Sequence, residues 1–171
     1  MAEANAWMTY VQQVLDKYDW NTMEPIYTGA CEAAAIYGQD GSAWAWSPNF
    51  PELLPQSVTI EGMSAADTKT VQVDEFQCAL QAADGNRNPS EAGIRMGNQK
   101  FMFVAKDDVT GVVILSKRGG GGAAVAKTNT ALLIAFYEKD KPSSDPKFVQ
   151  TAGICAQQVA DMCAYLKEQG Y

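Results

Sequence analysis

An α+β fold, with helices packed on an antiparallel sheet, is what this sequence predicts, and three observations carry the prediction. Amphipathic helical patterns open and close the chain. Between them lies a succession of β-branched and aromatic runs, the signature of strands. The links joining those runs are too short for parallel crossovers, which take about a dozen residues or more. A length of 171 residues suits one compact domain with a sizeable core, expected to span residues 1–171.

The elements follow in order. Residues 4–18 read as an amphipathic helix, because Trp7, Tyr10, Val11, Val14 and Tyr18 recur at steps of three and four. Residues 19–29 are mixed in pattern and read as a connection. Residues 31–37 and 43–46 flank Gln39-Asp40-Gly41-Ser42, where Asp-Gly signals a β-hairpin turn. Pro48, Pro51 and Pro55 then interrupt the chain, and residues 55–62 are expected to form a short helix with proline in its first turn. The stretch 63–95 is the least legible; a helix is expected over 73–83, followed by the turn-rich segment 84–90. Strands are expected at 100–106, 111–117, 123–127 and 131–138, in a meander. After a polar loop at 139–145, Asp145-Pro146 is expected to open a last helix whose stripe is Cys155, Val159, Met162 and Leu166, ending near Gly170.

Composition removes several classes of function. Lys plus Arg number 13 against 20 Asp plus Glu, a net charge of −7, which opposes nucleic-acid binding and broad attraction to anionic membranes. Histidine is absent, so His-based triads, His–metal clusters and imidazole switches are excluded. The four cysteines, at 31, 78, 155 and 163, form no C-x-x-C pair and read as reduced, small apolar residues without disulfides. The opening MAEANAWMTY has no basic stretch followed by an apolar core, and no run approaches the ~20 apolar residues of a membrane span. The expected compartment is the cytoplasm, with no stable membrane insertion.

Candidate catalytic motifs are weak. Gly121 to Thr128 fits a phosphate loop except at Ala126, where the motif demands glycine. The following run 131–138 reads as strand rather than the helix such a loop needs, so the glycines are expected to form a turn. The adjacent acids Asp107 and Asp108, or Asp74 and Glu75, read as surface charge rather than an acid/base dyad. No serine has an imidazole base, and neither an enzyme activity nor a cofactor or metal is expected.

The aromatics say more. Trp7 and Tyr10 lie one turn apart on the first helix, Tyr165 lies near the end of the last, and Tyr171 closes the chain. Trp44 and Trp46 sit two apart on a strand and are expected to share a face. Two readings are open from spacing: a partner-binding surface, or cement between the terminal helices and the sheet.

Trp7-x-x-Tyr10, followed by Ala34-Ala35-Ile36-Tyr37-Gly38-Gln39-Asp40-Gly41-Ser42-Ala43-Trp44-Ala45, strongly resembles the N-terminal part of profilins. Gly97-Asn98-Gln99-Lys100-Phe101-Met102, the segment from Ser116 through Lys127-Thr128 to Ala131-Leu132, and Tyr165-Leu166-x-x-Gln169-Gly170-Tyr171 are similar to later family blocks, in order to residue 171. The resemblance implies N- and C-terminal helices packed together on one face of the sheet. It also implies binding of monomeric actin and docking of proline-rich proteins, such as formin-type elongation factors, in an aromatic groove. That groove would be Trp7, Tyr10, Trp44, Tyr165, Leu166 and Tyr171, ring faces meeting a polyproline II peptide while Trp N–H and Tyr O–H groups donate to its carbonyls. The actin face would include Lys100, Val104, Lys117, Thr151, Gly153 and Asp161. Position 165 is tyrosine where many animal members have histidine, and Ala105, Thr151 and Ala156 are neutral where animal members carry basic or histidine side chains. Segments 19–30 and 63–95 are longer than in compact members. Phosphoinositides, also ligands of the family, are expected to bind weakly given the net charge. The implied function is regulation of actin polymerisation; the alternative is a proline-peptide adaptor on the same fold whose actin contact is weak or lost.

Overall fold

A computed structural model describes residues 2–61 and 66–171, with the side chains of 2–5 outside the description. The first helix, α1 (Ala2–Leu15), leads to a small hairpin of β1 (Lys17–Asp19) and β2 (Glu24–Tyr27). Next come β3 (Ala33–Gly38) and β4 (Ala43–Trp46), then β5 (Pro55–Ile60), β6 (Lys69–Asp74) and α2 (Glu75–Ala83). The meander is β7 (Ile94–Met96), β8 (Gln99–Lys106), β9 (Val113–Lys117), β10 (Gly122–Lys127) and β11 (Ala131–Tyr137), and α3 (Ala152–Glu168) ends the chain. Seven strands form one sheet in the order β4-β3-β11-β10-β9-β8-β7, every neighbouring pair antiparallel.

Alternation along the central strands divides the core in two. Ile36, Ala124, Ala126, Leu133 and Ala135 face α1 and α3, where they meet Val11, Val14 and the stripe Cys155, Val159, Met162, Cys163 and Leu166. Ala35, Val113, Leu115, Val125, Leu132 and Ile134 face the other way, toward Ala79 and Ala82 of α2 and toward Phe50 and Phe101. The two terminal helices therefore share one face, as the resemblance implies. Among the described residues no helix is long and apolar enough to cross a membrane.

A buried amide locks the terminal helices together. Gln158 Nε2, on α3, donates to the carbonyls of Gln13, Val14 and Asp16 at 3.3, 2.9 and 2.6 Å. These carbonyls at the end of α1 have no turn of helix beyond them to accept from. The helix thus stops at Leu15 rather than at 18, and Tyr18 falls on β1.

Other expectations are corrected. Residues 55–60 form a strand instead of a short helix; Val58, Thr59 and Ile60 pair with Val71, Thr70 and Lys69, a β-branched ladder in which Pro55 takes the tolerated first position. Gly62, the last position of that expected helix, lies outside the described residues. Val73 and Asp74 end β6, and the helix begins at Glu75 because Asp74 caps it, its carboxylate accepting from the Gln77 N–H at 3.1 Å. Glu75 is not surface charge. It is fully buried, and its carboxylate accepts from the Leu54 and Asn98 N–H groups at 3.1 and 2.7 Å. The last helix starts at Ala152, capped by Thr151, because Asp145-Pro146 is spent in a turn closed by the Phe148 N–H on the Asp145 carbonyl at 2.9 Å.

The expected glycine turn is present. Gly119, Gly120 and Gly121 all adopt positive φ, and Gly122–Lys127 continues as strand rather than helix. All four cysteines are free and buried.

Candidate functional site

The structure brings together Trp7, Tyr10, Trp44, Tyr165 and Tyr171 from the two ends of the chain and from β4. Trp7 is the hub. Its ring centroid lies 4.6 Å from that of Trp44, 5.0 Å from Tyr171 and 5.4 Å from Tyr10. Tyr10 in turn meets Tyr165 edge-on at 5.4 Å. The result is a row of half-buried and exposed rings along the seam between α1 and α3.

Local structure places each ring. Trp7 and Tyr10 are one helical turn apart, hence on one face of α1. Trp44 owes its position to an irregularity. Ile36 pairs with Ala45 and Tyr37 with Ala43, so the strand carries one extra residue at Trp44, and that bulge puts it beside α1. Trp46 consequently does not share its face: it lines a cavity of about 280 Å³ with Tyr37, Ala43, Phe50 and Pro51 on the α2 side. Trp44 Nε1 donates to Ser42 Oγ at 3.2 Å, so this indole offers its ring face while its N–H stays within the protein.

Tyr171 is turned back onto Trp7 by the end of α3. Gly170 has φ +92°, the Gly170 N–H donates to Lys167 O at 3.1 Å, and the Tyr171 N–H donates to Leu166 O at 2.9 Å. This is a Schellman cap, which needs a residue tolerant of the left-handed conformation at position 170. Leu166, by contrast, is 0% exposed and sits in the core. Adjacent helical residues point about 100° apart, so with Tyr165 outward its neighbour lies beneath the row rather than on it.

Sequence reasoning missed Trp20. Its ring lies 5.6 Å from Tyr165 at 38°, extending the row from a segment read as a plain connection. Its aromatic character was visible; its placement depends on the β1–β2 hairpin.

The Tyr10 and Tyr165 hydroxyls are hydrogen-bonded, and this bond together with burial pushes the Tyr10 hydroxyl up to about 12 from its ordinary 10.0. A raised value in the folded state favours the protonated form, so this contribution to stability is complete below pH 10 and is lost as pH rises through about 12. Tyrosinate absorbance is expected to show Tyr10 titrating late together with Tyr37, which burial also pushes up to about 12, and the late step is expected to shrink by one tyrosine in Tyr10→Phe. Titration of Tyr10 at its ordinary value would contradict the bond.

The six residues of the expected actin face fall on three elements, β8, β9 and α3 with its cap. Lys100 and Lys117 share a cavity of about 440 Å³ with Gln99, Arg118, Gly120 and Glu138, and Lys117 Nζ donates to Glu138 Oε1 at 2.7 Å. Val104 is 52% exposed at an irregularity of β8, near Met102 at 58%. Thr151 Oγ1 accepts from the Ile154 N–H at 3.1 Å as the cap of α3. Gly153 borders a separate apolar hollow with Tyr27, Phe148 and Ile154, and Asp161 pairs with Lys17 at 3.9 Å.

Fold and site together define a small α+β module whose two terminal helices present an aromatic row on one face of an antiparallel sheet. The Profilin family model matches residues 5–171, and the chain belongs to this family, one of non-enzymatic, actin-binding proteins of the cytoskeleton. It is similar to Acanthamoeba castellanii profilin IA, at 25% identity over 96% of this chain and 99% of that one, with a TM-score of 0.57. Profilin II of the same organism gives 26% identity with the same coverage and TM-score. Mouse profilin IIa, solved in complex with a double repeat from the FH1 domain of mDia1, has the same fold at 15% identity, 96% and 99% coverage and a TM-score of 0.58.

Proposed function

We propose that this chain regulates actin polymerisation in the cytoplasm by binding actin monomers, and that it docks proline-rich partners along the row of Trp44, Trp7, Tyr171, Tyr10 and Tyr165. The observation that carries the docking half is the row itself: rings from three distant parts of the sequence in contact at one surface seam. The mouse relative's complex with an FH1 repeat supports the same reading. A polyproline II segment is already extended, so little conformational entropy is lost on binding, and its ring faces suit flat aromatic surfaces. With Tyr10 and Tyr165 bonded to each other, the second O–H of that pair and the Tyr171 hydroxyl are left to meet its carbonyls.

Tyr171→Ala tests this cleanly, because Tyr171 is 40% exposed and lies beyond α3. Polyproline binding, read by tryptophan fluorescence, is expected to weaken by about 2 kcal/mol, or roughly thirtyfold, with thermal stability and actin affinity nearly unchanged. Wild-type affinity in this variant would place the groove elsewhere. Failure of the wild type to bind even long polyproline would reduce the rings to packing between helices.

The actin half rests on family membership and on the exposed stretch of β8 around Lys100, Met102 and Val104. Lys100→Glu is expected to weaken a complex with monomeric actin by about 1–3 kcal/mol, measured by fluorescence titration; an unchanged affinity would remove Lys100 from the site. The internal engagement of Lys117 with Glu138 and of Asp161 with Lys17 favours a second reading, an adaptor with weak or lost actin binding. That reading expects wild-type protein not to sediment with or titrate actin monomers. Phosphoinositide binding is weak in either case, because Glu138 neutralises part of the Lys100–Lys117–Arg118 cluster.

A further inference from the structure

We propose that Trp20 is an additional subsite of the aromatic groove, at its Tyr165 end, which takes one further step of a bound polyproline II peptide and so makes the protein select longer proline runs. The proposal rests on the groove reading above and adds a residue, a direction and a ligand length to it. Trp20 contacts Tyr165 and, among the described residues, no other ring; Tyr10 also meets Tyr165 but makes no ring contact with Trp20. Trp20 therefore continues the row outward instead of thickening it.

Its spacing fits the ligand. Neighbouring rings along Trp44, Trp7, Tyr10, Tyr165 and Trp20 are separated by 4.6, 5.4, 5.4 and 5.6 Å, so the last step is close to the two before it. A polyproline II helix rises about 3.1 Å per residue, and one more ring thus corresponds to about two more residues of peptide.

The ring is also held in place before any ligand arrives. The Asn21 and Thr22 N–H groups donate to Asp19 Oδ1 at 2.8 and 3.3 Å, and the Met23 N–H donates to Asp19 O at 2.6 Å, closing the turn around Trp20. The Gly29 N–H donates to Asp16 Oδ1 at 3.0 Å behind it, and Lys17 reaches Asp161 of α3 at 3.9 Å. The β1–β2 hairpin thereby presents one half-buried indole beside Tyr165, and a preorganised aromatic contact adds affinity with little ordering cost.

The experiment is a length series of polyproline peptides, from about 6 to about 14 residues to span the row, titrated against wild type, Trp20→Ala and Trp20→Leu. Wild-type affinity is expected to keep rising for about two residues beyond the length at which both variants level off. At the longest peptides the variants are expected to bind about fivefold more weakly, and at the shortest to match wild type. Trp20→Leu keeps apolar volume against Tyr165, so its melting temperature separates loss of a subsite from loss of packing. Variants that track wild type at every length would overturn the Trp20 subsite while leaving the groove standing. Absence of binding by wild type at every length would overturn the groove, and the subsite with it.

Discussion

Trp7→Ala is expected to abolish measurable docking of proline-rich peptide and to destabilise the fold at the same time. Three rings lean on Trp7, at 4.6, 5.0 and 5.4 Å, so its removal breaks the row in the middle rather than shortening it. Aromatic anchors at such centres lose about 2 kcal/mol or more on truncation. Loss of a tryptophan from packing costs about 3 kcal/mol at a well-covered site, and the half-burial of Trp7 puts the expected figure near 2. Trp7→Phe retains a ring and is expected to recover most of the stability and part of the affinity. Trp46→Ala, on the opposite side of the sheet, is the control and is expected to leave binding unchanged. Peptide affinity in Trp7→Ala equal to wild type would show that the ring is a structural pillar only.

Gln158→Leu carries the second large effect. Leucine fits the space but leaves the Gln13, Val14 and Asp16 carbonyls facing an apolar group. A buried carbonyl without a donor costs about 1–3 kcal/mol, and the combined loss is expected to be about 3 kcal/mol. For a chain of this size that lowers the melting temperature by roughly 6–12 °C. Because the lost amide joins α1, which carries Trp7 and Tyr10, to α3, which carries Tyr165, peptide affinity is expected to fall with stability. An unchanged melting temperature would mean that other donors reach those carbonyls.

The legible parts of the molecule were those set by local rules. Short-linked runs of apolar, β-branched and aromatic residues marked β10 and β11, the Asp-Gly turn marked β3 and β4, and the three-and-four spacing of Val11, Val14, Cys155, Val159 and Met162 marked the inner faces of the terminal helices. Misreadings arose where a distant contact decides. A proline at position 55 suggests a helix start as readily as a strand start, and only pairing with β6 chooses between them. Two tryptophans two residues apart share a face unless a bulge intervenes, and the bulge at Trp44 follows from pairing with β3. Glu75 looks like any acid beside another acid until the Leu54 and Asn98 amides close around it.

The site divides in the same way. Trp7, Tyr10, Trp44, Tyr165 and Tyr171 could be named because they stand in sequence blocks that resemble the family's, whereas their spacing alone left a docking surface and helix packing both open. Leu166 was placed on the groove by the resemblance of the C-terminal block, whereas helical geometry sends it into the core. Trp20 was passed over because its segment has no periodicity. Its role depends on a three-residue strand, a carboxylate-closed turn and an ion pair to α3, none of which is visible as a pattern.

The four indole N–H groups provide the most direct measurement. Trp7 and Trp44 lie in the row, Trp20 at its end, and Trp46 on the other side of the sheet. In ¹H–¹⁵N spectra, each assigned by a single substitution, addition of a polyproline peptide is expected to shift the Trp7 and Trp44 indole signals strongly and to leave that of Trp46 in place. Shifts at Trp46 with Trp7 and Trp44 unmoved, or no shifts at saturating peptide, would contradict the groove.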